Sequence, residues 1–506
     1  VEFSGIAWEG VGFYYSGYDA PEKGEEYSDK NEYHKIYYHK LGTPQSEDKV
    51  IFENREYPLR TFAASVTDDQ KYLIVYESES TSGNALFIKN LKKKNAGFVQ
   101  IAEGFDYEYR IIDDLEDGLL MHTNYEAPKW KMVLVDPDKP GIENWKTIIP
   151  EKEEVLQGVA VAGGKLIAEY MKDAASKAYI YEFNGDYIAE TDLPGIGTMF
   201  SFNGKKDENL AFYGFTSFTF PSTIYKYDIK QNISEVYKES KIDFNTGDFE
   251  TEQIFFESKD GTKVPMFLVH KKGIKKDGDN PVLLYGYGGF NVSLTPSFSV
   301  TRLTYLEQGG IYALVNLRGG GEYGEEWHEA GMKLNKQNVF DDFIGAAEYL
   351  VSDDYTKPEK IAIMGGSNGG LLVGAVMTQR PELFGAAIPI VGVMDMLRYQ
   401  HFTIGWAWAS DYGTSEESRE MFEYLYGYSP LHNIKEGVEY PATMAVTADH
   451  DDRVVPAHTF KFMATLQEKG GDDEPYLVRI ETKAGHGAGK PTSKIIEEYT
   501  DIFSFV

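Results

Sequence analysis

At about Ile242–Glu252 the hydrophobic rhythm of the chain changes, and that change allows only a molecule built in two unlike parts. Before it, short runs of aromatic and β-branched residues alternate with Gly, Asp, Asn and Lys clusters, and no amphipathic helix is legible. After it, apolar strand-like runs alternate with helical patterns. The reading divides the 506 residues into a region 1–241 and a region 242–506, a length that already exceeds one compact core.

The first region repeats itself. Gly12, Lys71, Gly118, Gly164 and Asn209 each open a similar strand pair, and they stand 59, 47, 46 and 45 residues apart. A period of about 45 residues with several strands per unit is what propeller blades show. The 36 Tyr and 30 Phe suit such a sheet-rich half, because aromatic rings pack well on pleated surfaces. A sandwich with regular hairpins shares the pattern and is the alternative.

In the second region VLLYGYGGF and IYALVNLRGGG read as strands entering glycine turns, and VFDDFIGAAEYLVSD as a helix. KIAIMGGSNGG is a buried strand running into a turn, followed by a helix from Leu371. TMAVTADHDD is a further strand, AHTFKFMATLQEKGG a helix ending at about Gly470, and LVRIETKAGHG closes the series. Apolar strands alternating with helices imply a mostly parallel, doubly wound sheet covered on both faces. The predicted fold class is therefore a β-propeller followed by an α/β-hydrolase.

Charge narrows the partners. The net charge of −30 repels nucleic acid and anionic membranes, so neither is expected. No apolar run approaches the ~20 residues of a membrane-spanning helix. With no cysteine, thiol nucleophiles, thiolate metal sites and disulfides are excluded. The chain starts at Val1 inside a strand-like pattern, which reads as a missing N-terminus together with any targeting segment. The compartment, periplasmic or secreted against cytoplasmic, is left open by that reading.

Gly365-Gly366-Ser367-Asn368-Gly369 is a G-x-S-x-G between a strand and a helix. A serine on such an elbow is held in strained geometry that exposes its hydroxyl above the sheet. The hydroxyl needs a base, and the base an orienting acid. In chain order this fold places the acid and then the histidine at later strand ends. Asp449, Asp451 and Asp452 follow one strand and His486 another; His450 competes as base but sits among the acids. Spacing does not choose among the three aspartates.

GGSNGGLL, DHDDRVVP, AGHGAG, YGYGGFN, NLRGGGEYG and AWASDYG together resemble the prolyl oligopeptidase family of serine peptidases. The resemblance implies Ser367 as nucleophile, Asp451 as triad acid and His486 as base. It implies an oxyanion hole from the Asn368 N–H and the Tyr287 hydroxyl. It further implies that Trp408 stacks on a proline ring, that Tyr412 and Val454 wall the pocket, and that Phe290 lines a neighbouring subsite. Arg453 is implied to bind a substrate carbonyl. Read alone, these aromatics are ordinary core residues, and Arg453 an ion-pair partner of Asp449 or Asp452. The implied activity is cleavage of short peptides after proline by a monomer needing no cofactor. An oligopeptidase or dipeptidyl peptidase of other specificity is the nearest rival, and a non-catalytic propeller that binds partners is the distant one.

Other signals carry less. Gly319–Gly324 formally satisfies G-x-G-x-x-G, but EEWHEAGMKL separates it from the helix expected at about Val339, so no nucleotide is expected. No HExxH is present, His328-Glu329 lacks a second histidine, and the DHDD run is no calcium loop, so no metal is expected. LKKKN is a solvated turn. The family's propeller has seven blades and is preceded by a hydrolase segment. Five units and no leading hydrolase segment are legible here. Either the chain is part of a larger protein, its propeller incomplete with edges exposed unless another chain covers them, or five undercounts the blades.

Overall fold

A computed structural model of the chain describes residues 4–19, 31–487 and 489–506. Val1 and Ala488, the latter within AGHGAG, lie outside them. Among the described residues, the first part consists of five four-stranded antiparallel meanders. Blade I runs from Ala7–Glu9 to Lys49–Glu53, blade II from Thr61–Val66 to Val99–Ala102 and blade III from Tyr109–Leu115 to Lys146–Ile149. Blade IV runs from Val155–Ala162 to Tyr187–Thr191 and blade V from Thr198–Gly204 to Ile233–Glu239.

Each blade buries one face against the next, as a twisted sheet with alternating apolar residues must. Ile36 and Tyr14 of blade I meet Leu73 and Val75 of blade II, and Ile74 and Ile88 meet Leu119 and Met121 of blade III. Met132 and Ile149 then pack on Leu166 and Tyr170, and Ile167 and Ile180 on Tyr213 and Tyr227. No buried apolar cluster among the described residues joins blade V to blade I.

The second part is one eight-stranded sheet. Its strands are β1 (Phe249–Glu257), β2 (Lys263–Lys271), β3 (Val282–Tyr285), β4 (Ile311–Val315), β5 (Ile361–Gly366), β6 (Ala386–Ile390), β7 (Ala442–Ala448) and β8 (Tyr476–Glu481). Their order is β1-β2-β4-β3-β5-β6-β7-β8, antiparallel at β1–β2 and β2–β4 and parallel beyond. Helices α1 (Val300–Glu307), α2 (Gln337–Ser352), α3 (Asn368–Gln379), α4 (Ala457–Lys469) and α5 (Thr492–Phe505) flank it. α2, α3 and α4 cover one face through Phe340, Val376 and Phe462. α1 and α5 cover the other through Leu306 and Ile502, which explains strands apolar on both sides.

Three sequence expectations change. α3 begins at Asn368, immediately after Ser367, rather than at Leu371, and stops at Gln379 because Pro381 cannot continue it. A final helix, α5, follows the histidine loop. A five-residue helix, Glu325–Glu329, opens directly after Gly324 instead of the chain waiting until Val339. The Glu325 N–H at that turn donates to Pro128 O in blade III at 2.9 Å, and Glu325 and Glu326 fill the first turn. A turn so occupied and so acidic is no cradle for a phosphate.

The two parts are packed together. Phe218 of blade V is fully buried against Phe267 and Tyr312 of the sheet. Tyr323 donates to Asp173 at 3.0 Å, and Gln253 to the Asp173 carbonyl at 2.5 Å.

Candidate active site

β5 delivers Ser367 to the carboxyl edge of the sheet, and α3 leaves from it. Ser367 has φ 58° and ψ −117°, a left-handed conformation that costs a non-glycine residue about 1–3 kcal/mol. The neighbouring glycines are a steric demand. A Cβ on Gly365 would stand 2.4 Å from Gly369 O, and one on Gly369 2.7 Å from Gly286 O. The elbow is fixed by a 2.8 Å hydrogen bond from Ser367 N to Ile390 O.

The loop after β8 brings His486 Nε2 to 3.2 Å from Ser367 Oγ. His486 Nδ1 lies 2.7 Å from Asp451 Oδ2 at the end of β7. Asp451 is buried and its other oxygen accepts from the main-chain N–H groups of Arg453 (3.0 Å) and Val454 (2.9 Å). Of the three aspartates spacing left open, Asp451 is the one in contact with the imidazole; Asp449 instead binds the exposed His450 at 2.6 Å.

Tyr287, on the loop after β3, lines a cavity together with Ser367. Burial, aided by the Asp411 carboxylate, pushes its phenol up to about 12, with Arg453 and Ser367 acting the other way. The hydroxyl therefore stays protonated near neutral pH and can donate to an oxyanion. The Asn368 N–H stands at the start of α3, one residue after Ser367.

The cavity holds about 410 Å³ and is walled by Phe290, Trp408, Tyr412 and Arg453 as well as Val393, Ile404, Trp406 and Ala407. Phe290 packs edge-on against Tyr412 at 5.2 Å, and Trp408 lies parallel to Tyr399 at 6.0 Å. Flat apolar walls suit a flat ring that carries no N–H. Val454 is buried but is not among the lining residues; its contribution is the main-chain bond to Asp451.

Sequence reasoning missed the opposite wall. Thr61, Ser78, Glu79, Ser80 and Thr81 of blade II line the same cavity, and no local motif marks them. It also missed a buried polar chain behind the pocket. Asp411 accepts from the Phe290 N–H at 3.0 Å and stands 2.8 Å from His328 Nε2. His328 faces Glu325, which accepts from Asn124 of blade III at 3.0 Å. Burial works against a charge on His328, but Asp411 and Glu325 prevail and raise it to about 9.

Residues 296–506 match the profile described as the prolyl oligopeptidase family, and residues 1–240 match its N-terminal beta-propeller domain. The chain is 50% identical over 506 residues to the prolyl endopeptidase of Elizabethkingia meningoseptica, covering 100% of this chain and 72% of that protein. The chain belongs to the prolyl oligopeptidase family. Among solved structures, one from a study of two prolyl endopeptidases superposes with TM-score 0.94 at 43% identity, over 99% of this chain and 74% of that one. Prolyl oligopeptidase B from Galerina marginata, bound to a 35mer hydrolysis and macrocyclization substrate, gives 0.93 at 36% identity, over 100% and 71%. As a prolyl oligopeptidase family member, the chain pairs a β-propeller with an α/β-hydrolase.

Proposed function

We propose that this chain is a serine endopeptidase that cleaves short peptides on the carboxyl side of proline through an acyl-enzyme. The observation that carries the reading is the line from Ser367 through His486 to Asp451, at 3.2 and 2.7 Å, opening onto a cavity walled by Trp408.

Ser367 Oγ attacks the prolyl carbonyl while His486 Nε2 takes its proton. Asp451 holds the imidazole in the tautomer with Nδ1–H and stabilises the imidazolium. Charge developing on the carbonyl oxygen meets the Asn368 N–H and the Tyr287 hydroxyl. Protonated His486 then gives its proton to the leaving amine, the amine departs, and water attacks the remaining ester by the same route. Trp408 stacks on the proline ring beside the wall residue Tyr412, Phe290 lines the neighbouring subsite, and Arg453 binds a substrate carbonyl. The wall from blade II limits what fits to short peptides.

The groups named all come from one chain, which suits a monomer; native mass measurement tests that. The activity is tested with a reporter carrying Gly-Pro before the scissile bond and its Gly-Ala counterpart. Cleavage confined to the proline reporter and lost in Ser367→Ala is expected. Equal cleavage of both favours an oligopeptidase of other specificity, and a Ser367 inert to a fluorophosphonate favours a binding protein.

A further inference from the structure

Lys336 is among the most buried cations of the chain, 1% exposed, and it stands where a cation is least favoured. It is the residue before α2, a 16-residue helix, and its side chain is buried rather than solvated. Burial pulls its ammonium down to about 8, with only the Asp411 charge pulling back. A methionine would fill the volume without these penalties.

What Lys336 holds accounts for it. Its Nζ donates to Gly288 O at 2.7 Å and to Asn368 Oδ1 at 3.1 Å. The same Asn368 oxygen accepts from the Tyr412 hydroxyl at 2.8 Å, and Asn368 Nδ2 donates to Tyr287 O at 2.5 Å. Two donors on one side and a carbonyl on the other fix the amide in one orientation. The loop is pressed onto this junction, for a Cβ on Gly289 would lie 2.7 Å from Asn368 Nδ2. One ammonium thus ties the nucleophile elbow to the loop that carries Tyr287.

We propose that Lys336 is a positioning residue for the oxyanion hole, locking the Asn368 N–H and the Tyr287 hydroxyl into one rigid pair of donors. The proposal rests on the assignment of Ser367 as nucleophile. Oxyanion donors act only when preorganised, and a displacement of about 1 Å costs up to roughly a hundredfold in rate. Lys336 does not itself line the substrate cavity; it reaches the wall through Tyr412, whose ring centroid lies 5.4 Å from Nζ and whose hydroxyl shares Asn368 Oδ1. The effect is therefore expected mainly in kcat and only weakly in ground-state binding.

The test is Lys336→Met, read in kcat, KM and the affinity of a peptide aldehyde ending in proline, which forms a hemiacetal with Ser367. A kcat loss of about tenfold or more with KM within about threefold is expected, and the aldehyde should weaken by the same factor as kcat/KM. Combined with Tyr287→Phe, the loss from Lys336→Met should shrink, because the donor it positions is gone. A folded Lys336→Met chain with wild-type kcat and aldehyde affinity overturns the proposal, as does an additive cycle or a loss wholly in KM. Should methionine spoil the fold, Asn368→Ala cuts the same junction while keeping the backbone N–H, and must show the same kcat and KM pattern or the proposal falls. A wild-type chain inert to reporter and fluorophosphonate overturns instead the reading of Ser367.

Discussion

Thr81 of blade II and Ser410, in the short helix Ala409–Tyr412 just after Trp408, meet hydroxyl to hydroxyl at 3.1 Å. The contact lies at the rim of a cavity whose two walls belong to different domains. A peptide is expected to enter that space by parting these walls. With no native cysteine in the chain, Thr81→Cys/Ser410→Cys gives a clean lock, since side chains this close are within disulfide reach. The oxidised form should lose most peptide turnover and recover it with a reductant. Full activity with the bridge formed, shown by a zero thiol count, would mean that substrate enters without separation here.

Asp451→Asn should lower kcat roughly 10⁴-fold, because an amide cannot hold His486 in the tautomer with Nδ1–H. The Arg453 and Val454 N–H groups can still donate to the amide oxygen, so the thermal midpoint should move little. Steady-state kinetics and a melting curve on the same sample check both halves.

Trp408→Ala removes a face of the cavity but no group of the triad. The ratio of kcat/KM for proline over alanine reporters should fall by about 10- to 100-fold, in line with the ~1–3 kcal/mol an apolar pocket contributes to discrimination. Labelling of Ser367 by a small fluorophosphonate should continue at nearly its original rate. An unchanged ratio would remove Trp408 from the proline site.

His328 links pH to the joint between the domains. Its folded value of about 9 lies above the ordinary 6.5 because Asp411 and Glu325 outweigh burial. A raised histidine contributes stability that is complete below about 6.5 and is lost as pH rises through about 9. The melting temperature of the wild type should therefore exceed that of His328→Gln at pH 6, with the gap closing by pH 9.5. A gap constant across that range would show that the contribution is not one of charge.

Much of this was legible because some physics is local. The five anchors fall at or one residue before the second strand of each blade, since a repeated meander repeats its turn. The Ser367 elbow was legible because Gly365 and Gly369 are required by contacts within a few residues and one neighbouring loop. Spacing did not choose the acid, for three aspartates share one strand end and only the imidazole, 35 residues later, selects among them; the resemblance alone pointed to Asp451. Lys336 and Asp411 left no trace, as a lone lysine before a helix and an aspartate beside a tyrosine have nothing local to signal their partners. The blade II wall was invisible for a related reason: serines and threonines in a hairpin turn look the same whether they face water or a substrate.

Arg453 serves two masters through different atoms. Its peptide nitrogen steadies the acid of the relay, whereas the residue also borders the cavity beside Ser367. Because the first task belongs to the backbone that every non-proline residue shares, a change of side chain at this position leaves the hold on Asp451 in place while altering the cavity wall and the charge felt by Tyr287. Selection for altered taste at this site can thus act on one side chain while the anchoring of the acid stays untouched.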